Sequence, residues 1–218
     1  MSTSIVIPVY SRFDLLHQLL YDIYKNCSLV EEIIICNDFP EDKDVRNGLA
    51  WWKSTNMLPL EIIETSENIG FLRNANLGLK AAVEDNVFLI STDVRIHKDI
   101  IQHSSLVSIS HSLWGGRLLD WNTGWNSIGN TIYPYIEGWL LGTTKENWEN
   151  IGYFDERFAP YDMEDVDAST TARELGMILC AYPEGYVSHL GAQSIPYGDE
   201  REAVTKINKK KFEEKWAR

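Results

Sequence analysis

The sequence has few cysteines, little basic charge and no long apolar run, and each shortage excludes a class of protein. The three cysteines (Cys27, Cys36 and Cys180) form no Cys-x-x-Cys pair, so we expect neither structural disulfides nor a zinc site. Lys and Arg number 20 against 32 Asp and Glu, a net charge of −12, which argues against nucleic acid or an anionic membrane as the partner. Met1 leads into an apolar strand without a basic leader, so we expect no signal peptide, no membrane span and a cytoplasmic protein.

Short apolar runs alternate with amphipathic segments through the first 97 residues. Leu15, Leu19 and Ile23 recur at helical spacing, and two further segments repeat that pattern. Alternation of this kind predicts an α/β fold with a mostly parallel sheet flanked by helices, in which ligands bind beyond the carboxyl ends of the strands. The predicted strands are residues 4–9, 33–36, 59–64 and 87–90.

The pattern changes after residue 98 and predicts a smaller mixed region. Residues 114–135, rich in Trp, Gly, Asn and Tyr, are expected to form an irregular loop or a mixed segment. The tail at 199–218 alternates acids with lysines and is interpreted as a solvated surface helix. Beyond these we predict strands at 137–142, 178–181 and 186–188, and helices at 145–151 and 164–175. We expect a single domain spanning residues 1–218.

Four carboxylates fall within six residues: Asp162, Glu164, Asp165 and Asp167. Packing like charges together is unfavourable unless a cation, a substrate hydroxyl or a helix N-terminus compensates. A solvated acidic turn is the commoner explanation of such a cluster. The aromatic residues interleaved with these acids favour a partly enclosed site instead.

The order of motifs resembles that of the family 2 glycosyltransferases, which share the GT-A fold. The resemblance runs from residue 4 to about residue 194, and its motifs are individually weak and jointly specific. It implies a nucleotide-sugar-binding half (1–97) and an acceptor-binding and catalytic half (98–218). The segments that carry it are residues 4–12, 33–38, 67–76, 88–94, 152–167 and 186–191.

The resemblance implies an inverting transferase that moves a sugar from a UDP- or dTDP-linked donor to a hydroxyl of a glycan acceptor. Asp38 would bind the base beside Tyr10, although by position alone Asp38 is a turn residue. Arg12 and Arg73 suit a pyrophosphate, and each suits a surface ion pair equally well. The implied nucleotide-sugar-binding residues are Pro8, Tyr10, Arg12, Asp38, Asn68, Gly70, Arg73, Thr92 and Asp93.

A divalent cation, Mn²⁺ or Mg²⁺, is implied because the departing pyrophosphate must be neutralised. Asp93 stands where the family has the last aspartate of its Asp-x-Asp motif, and His189 matches a late metal-site histidine. On position alone, Asp93 is equally a loop-capping residue and His189 a structural histidine. The first aspartate of the motif is replaced by Ser91, so metal dependence is expected with weaker affinity in the absence of nucleotide.

Asp165 matches the aspartate of the family's Glu-Asp pair and is the implied general base. Glu164 would bind acceptor hydroxyls or set the ionisation of Asp165. Trp121 and Trp125, lying among Asn and Gly, are candidates for stacking on an acceptor sugar, whereas Trp139, in a predicted apolar strand, is interpreted as core.

Two other functions compete with this reading. Nucleotidyltransferases share the general architecture but carry a Gly-rich basic loop after the first strand, where this chain has Tyr10-Ser11-Arg12-Phe13. A non-catalytic nucleotide-sugar- or carbohydrate-binding module is the second alternative. The altered Ser91-Thr92-Asp93 motif leaves the module alternative open, and the intact Glu164-Asp165 pair argues against it.

Overall fold

The computed structural model describes residues 2–106, 109–191, 193 and 198–217. Ser194, near which the resemblance ends, and Arg218, the last residue of the predicted tail helix, lie outside these ranges. The helices are α1 (Phe13–Asn26), α2 (Lys43–Thr55), α3 (Phe71–Ala81), α4 (Ile100–Leu106), α5 (Lys145–Ile151), α6 (Glu164–Glu174) and α7 (Asp199–Trp216), with 3-10 turns at Ile109–His111 and Glu156–Phe158. The strands are β1 (Thr3–Val9), β2 (Val30–Asn37), β3 (Leu60–Glu64), β4 (Asn86–Ile90), β5 (Val94–Ile96), β6 (Ser112–Gly115), β7 (Leu118–Leu119), β8 (Ser127–Ile128), β9 (Thr131–Ile132), β10 (Tyr135–Ile136), β11 (Leu140–Thr144), β12 (Ile178–Ala181) and β13 (Val187–His189).

A seven-stranded sheet in the order β12-β6-β11-β4-β1-β2-β3 organises the chain. Strands β4, β1, β2 and β3 are parallel, and β12 is parallel to β6, while β11 runs antiparallel to its neighbours. Strand β1 is buried along its whole length, as expected for a parallel strand covered by helices on both faces. The predicted α/β architecture, with its mostly parallel central sheet, is confirmed.

Each face of the sheet carries its own apolar core. Helices α1, α2 and α4 pack on one face, and α3, α5, α6 and α7 on the other. Gly78 of α3 lies so close to the sheet that a Cβ there would meet Val6 at 2.4 Å and Cys36 at 2.6 Å. A side chain at that position would push α3 away from β1 and β2.

Asn76 of α3 joins the two halves of the chain. Its amide donates to the carbonyl of Phe154 at 2.8 Å and accepts from the Phe154 N–H at 2.9 Å. Because both groups are buried, losing this two-way contact would leave polar backbone unsatisfied. The contact fixes the start of the aromatic and acidic segment relative to the first half of the sheet.

Two predicted elements differ from the structure. The strand predicted at 137–142 begins only at Leu140, which leaves residues 137–139 as a connector on the face of the site. Helix α7 is not merely solvated, since Asn208, Phe212 and Trp216 are buried in its interface with the domain. In the described part of the chain, no helix is both long and apolar enough to cross a membrane.

Candidate active site

Asp93 and His189 lie side by side at the carboxyl end of β4. Asp93 follows β4 and is 5% exposed, and its Oδ2 lies 3.2 Å from the Nε2 of His189. Strand β13 delivers His189 by pairing antiparallel with β5, so that His189 lies opposite Val94. Burial alone would raise the pKa of the Asp93 carboxyl, but the contact with His189 and backbone hydrogen bonds outweigh it and hold this pKa below its usual value.

Trp139 fixes the orientation of the His189 ring. The two rings stack with centroids 4.8 Å apart and planes 14° from parallel. The Trp139 carbonyl accepts from the N–H of Ser91 at 2.9 Å, and its indole N–H donates to the Oε2 of Glu137 at 3.0 Å. Trp139 is half-buried and packs against the apolar core on the α1, α2 and α4 face, as interpreted from the sequence. The same ring also contacts His189, which the sequence did not indicate.

The Asp93–His189 pair fits a divalent cation. Carboxylate oxygen and imidazole nitrogen are donors that Mn²⁺ accepts. Two donors on adjacent vertices of an octahedral site with bonds of about 2.1 Å lie about 3 Å apart, close to the observed 3.2 Å. Among the described residues no group of three or more His, Cys, Asp or Glu side chains could hold a metal ion. Further donors would therefore be other oxygen groups of the protein, the ligand or water.

Asp165 lies at the start of α6 with each carboxylate oxygen held by one backbone N–H. Oδ2 accepts from Gly138 at 2.9 Å, and Oδ1 accepts from Val166 at 2.8 Å. Burial raises the pKa of the Asp165 carboxyl to about 7, although these two N–H groups oppose the rise. A carboxylate with a pKa near neutrality is suited to general base catalysis.

Glu164 is buried beside Asp165 at 6% exposure. Its Oε2 has no hydrogen-bond partner among the described residues. Burial, followed by the neighbouring Asp165, raises the pKa of Glu164 well above its usual value. A protonated Glu164 can donate a hydrogen bond, and its unpartnered buried oxygen can accept one. A hydroxyl group of a ligand would suit either bond.

The other two acids of the cluster hold α7 in place. Asp162 accepts from Arg201 at 2.7 Å and 3.0 Å and from the hydroxyl of Thr205 at 2.7 Å. Asp167 accepts from Lys215 at 2.8 Å and from the indole of Trp216 at 2.7 Å. These acids therefore serve the scaffold, which separates them from Glu164 and Asp165.

The backbone ahead of α6 adopts an unusual conformation that α7 stabilises. Asp162 and Met163 have φ values of 67° and 77°, a left-handed region that non-glycine residues adopt at a cost. The amide of buried Asn208 donates to the carbonyls of Phe158, Tyr161 and Asp162 at 2.6, 2.8 and 3.1 Å. This clamp was not predicted from the sequence, although Asn208, Phe212 and Trp216 follow the i, i+4, i+8 spacing of a buried helix face.

Asp38 holds the loop that precedes α3. Its carboxylate accepts from Thr65 Oγ1, from the N–H of Ile69 and from the N–H of Gly70, each at 2.9 Å. Asn68 also accepts from the Gly70 N–H at 2.9 Å. The predicted contact of Asp38 with a nucleotide base stays a prediction and would add to this loop-holding role.

Gly70 connects that loop to the acidic segment. Its φ is 82°, and a Cβ there would meet Pro160 at 2.9 Å, so the position favours glycine on two grounds. The N–H of Leu72 donates to the carbonyl of Pro160 at 3.1 Å. These contacts indicate that Gly70 shapes the loop. Binding of a donor by Gly70 stays a prediction.

Tyr10 and Phe39 stack at the carboxyl ends of β1 and β2. Their centroids are 5.2 Å apart and their planes 21° from parallel, and the side chains are 44% and 37% exposed. Exposed stacked rings suit a planar base. The sequence analysis named Tyr10 but missed Phe39, because only the fold brings the two residues together.

The two predicted pyrophosphate arginines form ion pairs. Arg12 contacts Asp14 at 2.8 Å, and its Nη1 lies 3.5 Å from Gln193 Oε1. Gln193 in turn donates its N–H to Asp93 at 3.4 Å, so Arg12 lies near the Asp93 side of the site. Arg73 lies 3.6 Å from Glu156, which matches the surface-pair alternative.

Pro8 and Thr92, also predicted to line the donor site, lie inside the fold. Pro8 belongs to β1 and is in register with Cys36 of β2. Thr92 is 4% exposed in the turn between β4 and β5. Both side chains are buried near the carboxyl ends of β1 and β4. Direct contact of either side chain with a donor stays a prediction.

Trp121 and Trp125 project from an ordered loop, with exposures of 50% and 39%. Asn126, fully buried, shapes this loop by donating to the carbonyls of Trp121 and Tyr133 at 3.0 and 3.1 Å. Arg117 lies 5.8 Å from the Trp121 ring and 3.8 Å from Glu137. These contacts connect Trp121 through Arg117 to Glu137, and the acceptor-binding role of Trp121 and Trp125 stays a prediction.

Comparison with known families confirms the resemblance seen in the sequence. Residues 4–103 match the family model described as Glycosyl transferase family 2. The match covers β1 to β5, including the turn that carries Asp93, and the beginning of α4. No curated protein matches the sequence.

Solved structures share the fold at low sequence identity. A mannosyltransferase from Pyrobaculum calidifontis, in complex with GDP-Man and Mn²⁺, has a TM-score of 0.65 and 15% identity over 88% of this chain and 58% of its own. TarS from S. aureus gives a TM-score of 0.67 and 16% identity over 95% and 64%. GalNAc-T7 with UDP, GalNAc and Mn²⁺ gives 0.76 and 14% over 99% and 48%. The chain thus spans between about half and two thirds of these structures, and it has their GT-A fold.

Proposed function

We propose, from a chain with the GT-A fold whose first half matches glycosyl transferase family 2, that this protein transfers a sugar from a UDP- or dTDP-linked donor to a hydroxyl of a glycan acceptor. The observation that carries the proposal is the placement of Asp165. Its carboxylate has a pKa of about 7 and is tied to Gly138, next to the Trp139 that stacks on His189. The proposed base and the proposed metal-binding pair would therefore be linked through neighbouring residues 138 and 139.

The donor would bind along the carboxyl ends of β1, β2 and β4. The Tyr10–Phe39 stack offers a face for the base, and Asp38 offers a carboxylate for an imide N–H, as uracil and thymine present. Two of the structural relatives were solved with UDP or a UDP-sugar, which supports a UDP-linked donor. The relative with GDP-Man makes guanine the alternative that a binding screen would reveal.

Asp93 and His189 would hold Mn²⁺ or Mg²⁺ on the pyrophosphate side. A bound cation would neutralise the charge that develops on the departing nucleoside diphosphate. Arg12 lies on the same side, linked through Gln193 to Asp93. It supplies a positive charge in a protein whose net charge is −12.

The acceptor would occupy the side of Asp165, Glu164, Trp121 and Trp125. Asp165, ionised above pH 7, removes the proton of the acceptor hydroxyl while the hydroxyl oxygen bonds to the anomeric carbon of the donor sugar. The bond from that carbon to the diphosphate breaks, and its electron pair leaves with the nucleoside diphosphate. A single in-line displacement of this kind inverts the anomeric centre and needs no covalent intermediate.

Hydrolysis of UDP- and dTDP-sugars in the presence of Mn²⁺, with water as acceptor, tests this proposal. We expect wild type to release nucleoside diphosphate, and Asp165→Asn to lose activity by a factor on the order of a hundred or more. Asp44→Asn, on the exposed face of α2, is the matched control and should retain wild-type activity. Equal, near-zero rates in wild type and Asp165→Asn, with sugar nucleotide still bound, would show a binding module instead of an enzyme.

A further inference from the structure

We propose that residues 137–139, hereafter the 137–139 connector, form a positioning element that sets the metal-binding pair and the general base in register with each other. This inference rests on the proposed function and adds roles for Gly138 and Trp139, which the sequence did not assign. The connector lies between β10 and β11. Within it, Gly138 contacts Asp165, and Trp139 contacts His189.

On the metal side, Trp139 is part of a closed ring of contacts. The indole stacks on His189, and His189 contacts Asp93. The ring closes because Ser91, two residues before Asp93, donates its N–H to the Trp139 carbonyl. Displacing the indole would free the His189 ring to rotate away from Asp93. Groups that orient a metal ligand in this way affect affinity without touching the metal.

The Trp139 ring itself has little freedom. A Cβ on Gly116 would fall 1.6 Å from the indole, so the ring packs against bare backbone on that side. The indole N–H is held by Glu137, whose own N–H donates to the Arg117 carbonyl at 3.0 Å. The ring is thus fixed at its edge and on two sides, as a positioning residue must be.

On the base side, Gly138 fixes Asp165. Its N–H donates to Oδ2 at 2.9 Å, and a Cβ at Gly138 would lie 3.2 Å from the Cβ of Asp165. An alanine there would push the carboxylate away by a few tenths of an ångström. Among the described residues, the groups that act electrostatically on Asp165 include Asp162 and Glu164 from its own segment, Glu137 from the connector, and Tyr135 from β10.

The metal-side test measures Mn²⁺ binding in the presence of saturating UDP by thermal shift and by electron paramagnetic resonance of free Mn²⁺. Trp139→Leu should need about ten- to a hundredfold more Mn²⁺ than wild type. Trp139→Phe keeps a ring for the stack and should stay much closer to wild type. Trp51→Leu, which removes an exposed tryptophan packed on a different histidine, His17, is the control and should match wild type.

An unchanged Mn²⁺ requirement in folded Trp139→Leu would overturn the inference, and so would an equal loss in Trp139→Phe. Absence of any Mn²⁺ and UDP response in wild type would instead overturn the proposed function and this inference with it. The two failures are therefore distinguishable.

The base-side test compares Gly138→Ala with Gly198→Ala, a position where a Cβ meets nothing within 4 Å. Gly138→Ala should lower kcat roughly tenfold to a hundredfold with little change in donor KM, because only the reacting geometry is displaced. Loosening the N–H bond should also move the acid limb of the kcat profile to higher pH. A Gly138→Ala profile that coincides with that of Gly198→Ala would overturn the role of Gly138.

Discussion

Replacing Asp165 with asparagine is expected to stabilise the fold at pH 8 while it removes activity. Burial raises the pKa of this carboxyl from 3.8 to about 7. Because each tenfold change in proton affinity corresponds to about 1.4 kcal/mol, the ionised carboxylate costs the folded state about 4 kcal/mol relative to the unfolded chain. Asparagine carries no charge and avoids that cost.

The gain is smaller than the full figure because asparagine has one carbonyl oxygen for two N–H donors. The N–H of Gly138 or of Val166 loses its acceptor, at a cost of about 1–2 kcal/mol. The net stabilisation expected at pH 8 is therefore about 2–3 kcal/mol. A gain of this size would match the general trade between stability and activity at functional sites.

The sign of the pH dependence provides the sharper measurement. Between pH 3.8 and about 7 the folded protein retains a proton that the unfolded chain has released, so wild-type stability falls as pH rises through this window. The advantage of Asp165→Asn should accordingly be largest at pH 8, shrink by pH 5 and vanish or reverse near pH 4.

Urea denaturation at these three pH values would give the free energy of unfolding of each protein. Asp44→Asn, exposed on α2, serves as the control and should change stability by less than about 0.5 kcal/mol at each pH. The reasoning is refuted if Asp165→Asn is destabilised at pH 8, or if its difference from wild type is the same at pH 5 and pH 8.

Two further predictions concern the Asn208 clamp of α7 and the Tyr10–Phe39 stack. Asn208→Ala should lower the free energy of unfolding by about 2–4 kcal/mol in urea, because three backbone carbonyls lose their donor; Lys210→Ala, 78% exposed on the same helix, is the control, and equal midpoints for the two variants would contradict the clamp. Tyr10→Ala should weaken UDP binding by roughly tenfold by calorimetry, since stacking on a base contributes about 1 kcal/mol or more. Tyr24→Ala, 49% exposed on α1, should bind UDP as wild type does, and an unweakened Tyr10→Ala would remove the Tyr10–Phe39 stack from the donor site.

The parts of the fold that were predictable from sequence are those with local signals. Apolar runs and helical periodicity placed the first four strands and the three helices between them, because each element buries one recurring set of side chains. The glycine and asparagine positions of residues 67–76 also proved meaningful. Gly70 packs on Pro160, and Asn76 holds Phe154, so both positions are constrained by contacts.

The parts that were missed depend on contacts between residues far apart in the chain. Trp139 lies 50 residues from the His189 on which it stacks, and no local pattern distinguishes it from a core tryptophan. Phe39 pairs with Tyr10 only because β1 and β2 are adjacent. In α7 a signal was present but weak, since three buried positions lie among lysines and glutamates.

The four clustered carboxylates owe their different roles to where the cations lie. Arg201 neutralises Asp162 and Lys215 neutralises Asp167, and both cations belong to α7. Asp165 is held by neutral N–H groups alone among its hydrogen-bond donors in the described chain. Burial raises the pKa of Asp167 too, but Lys215 and Trp216 oppose that rise, whereas two backbone N–H groups, which carry no charge, oppose the rise that burial brings to the pKa of Asp165. By docking its cations against the two outer acids, α7 leaves Asp165 with the proton affinity that a general base requires.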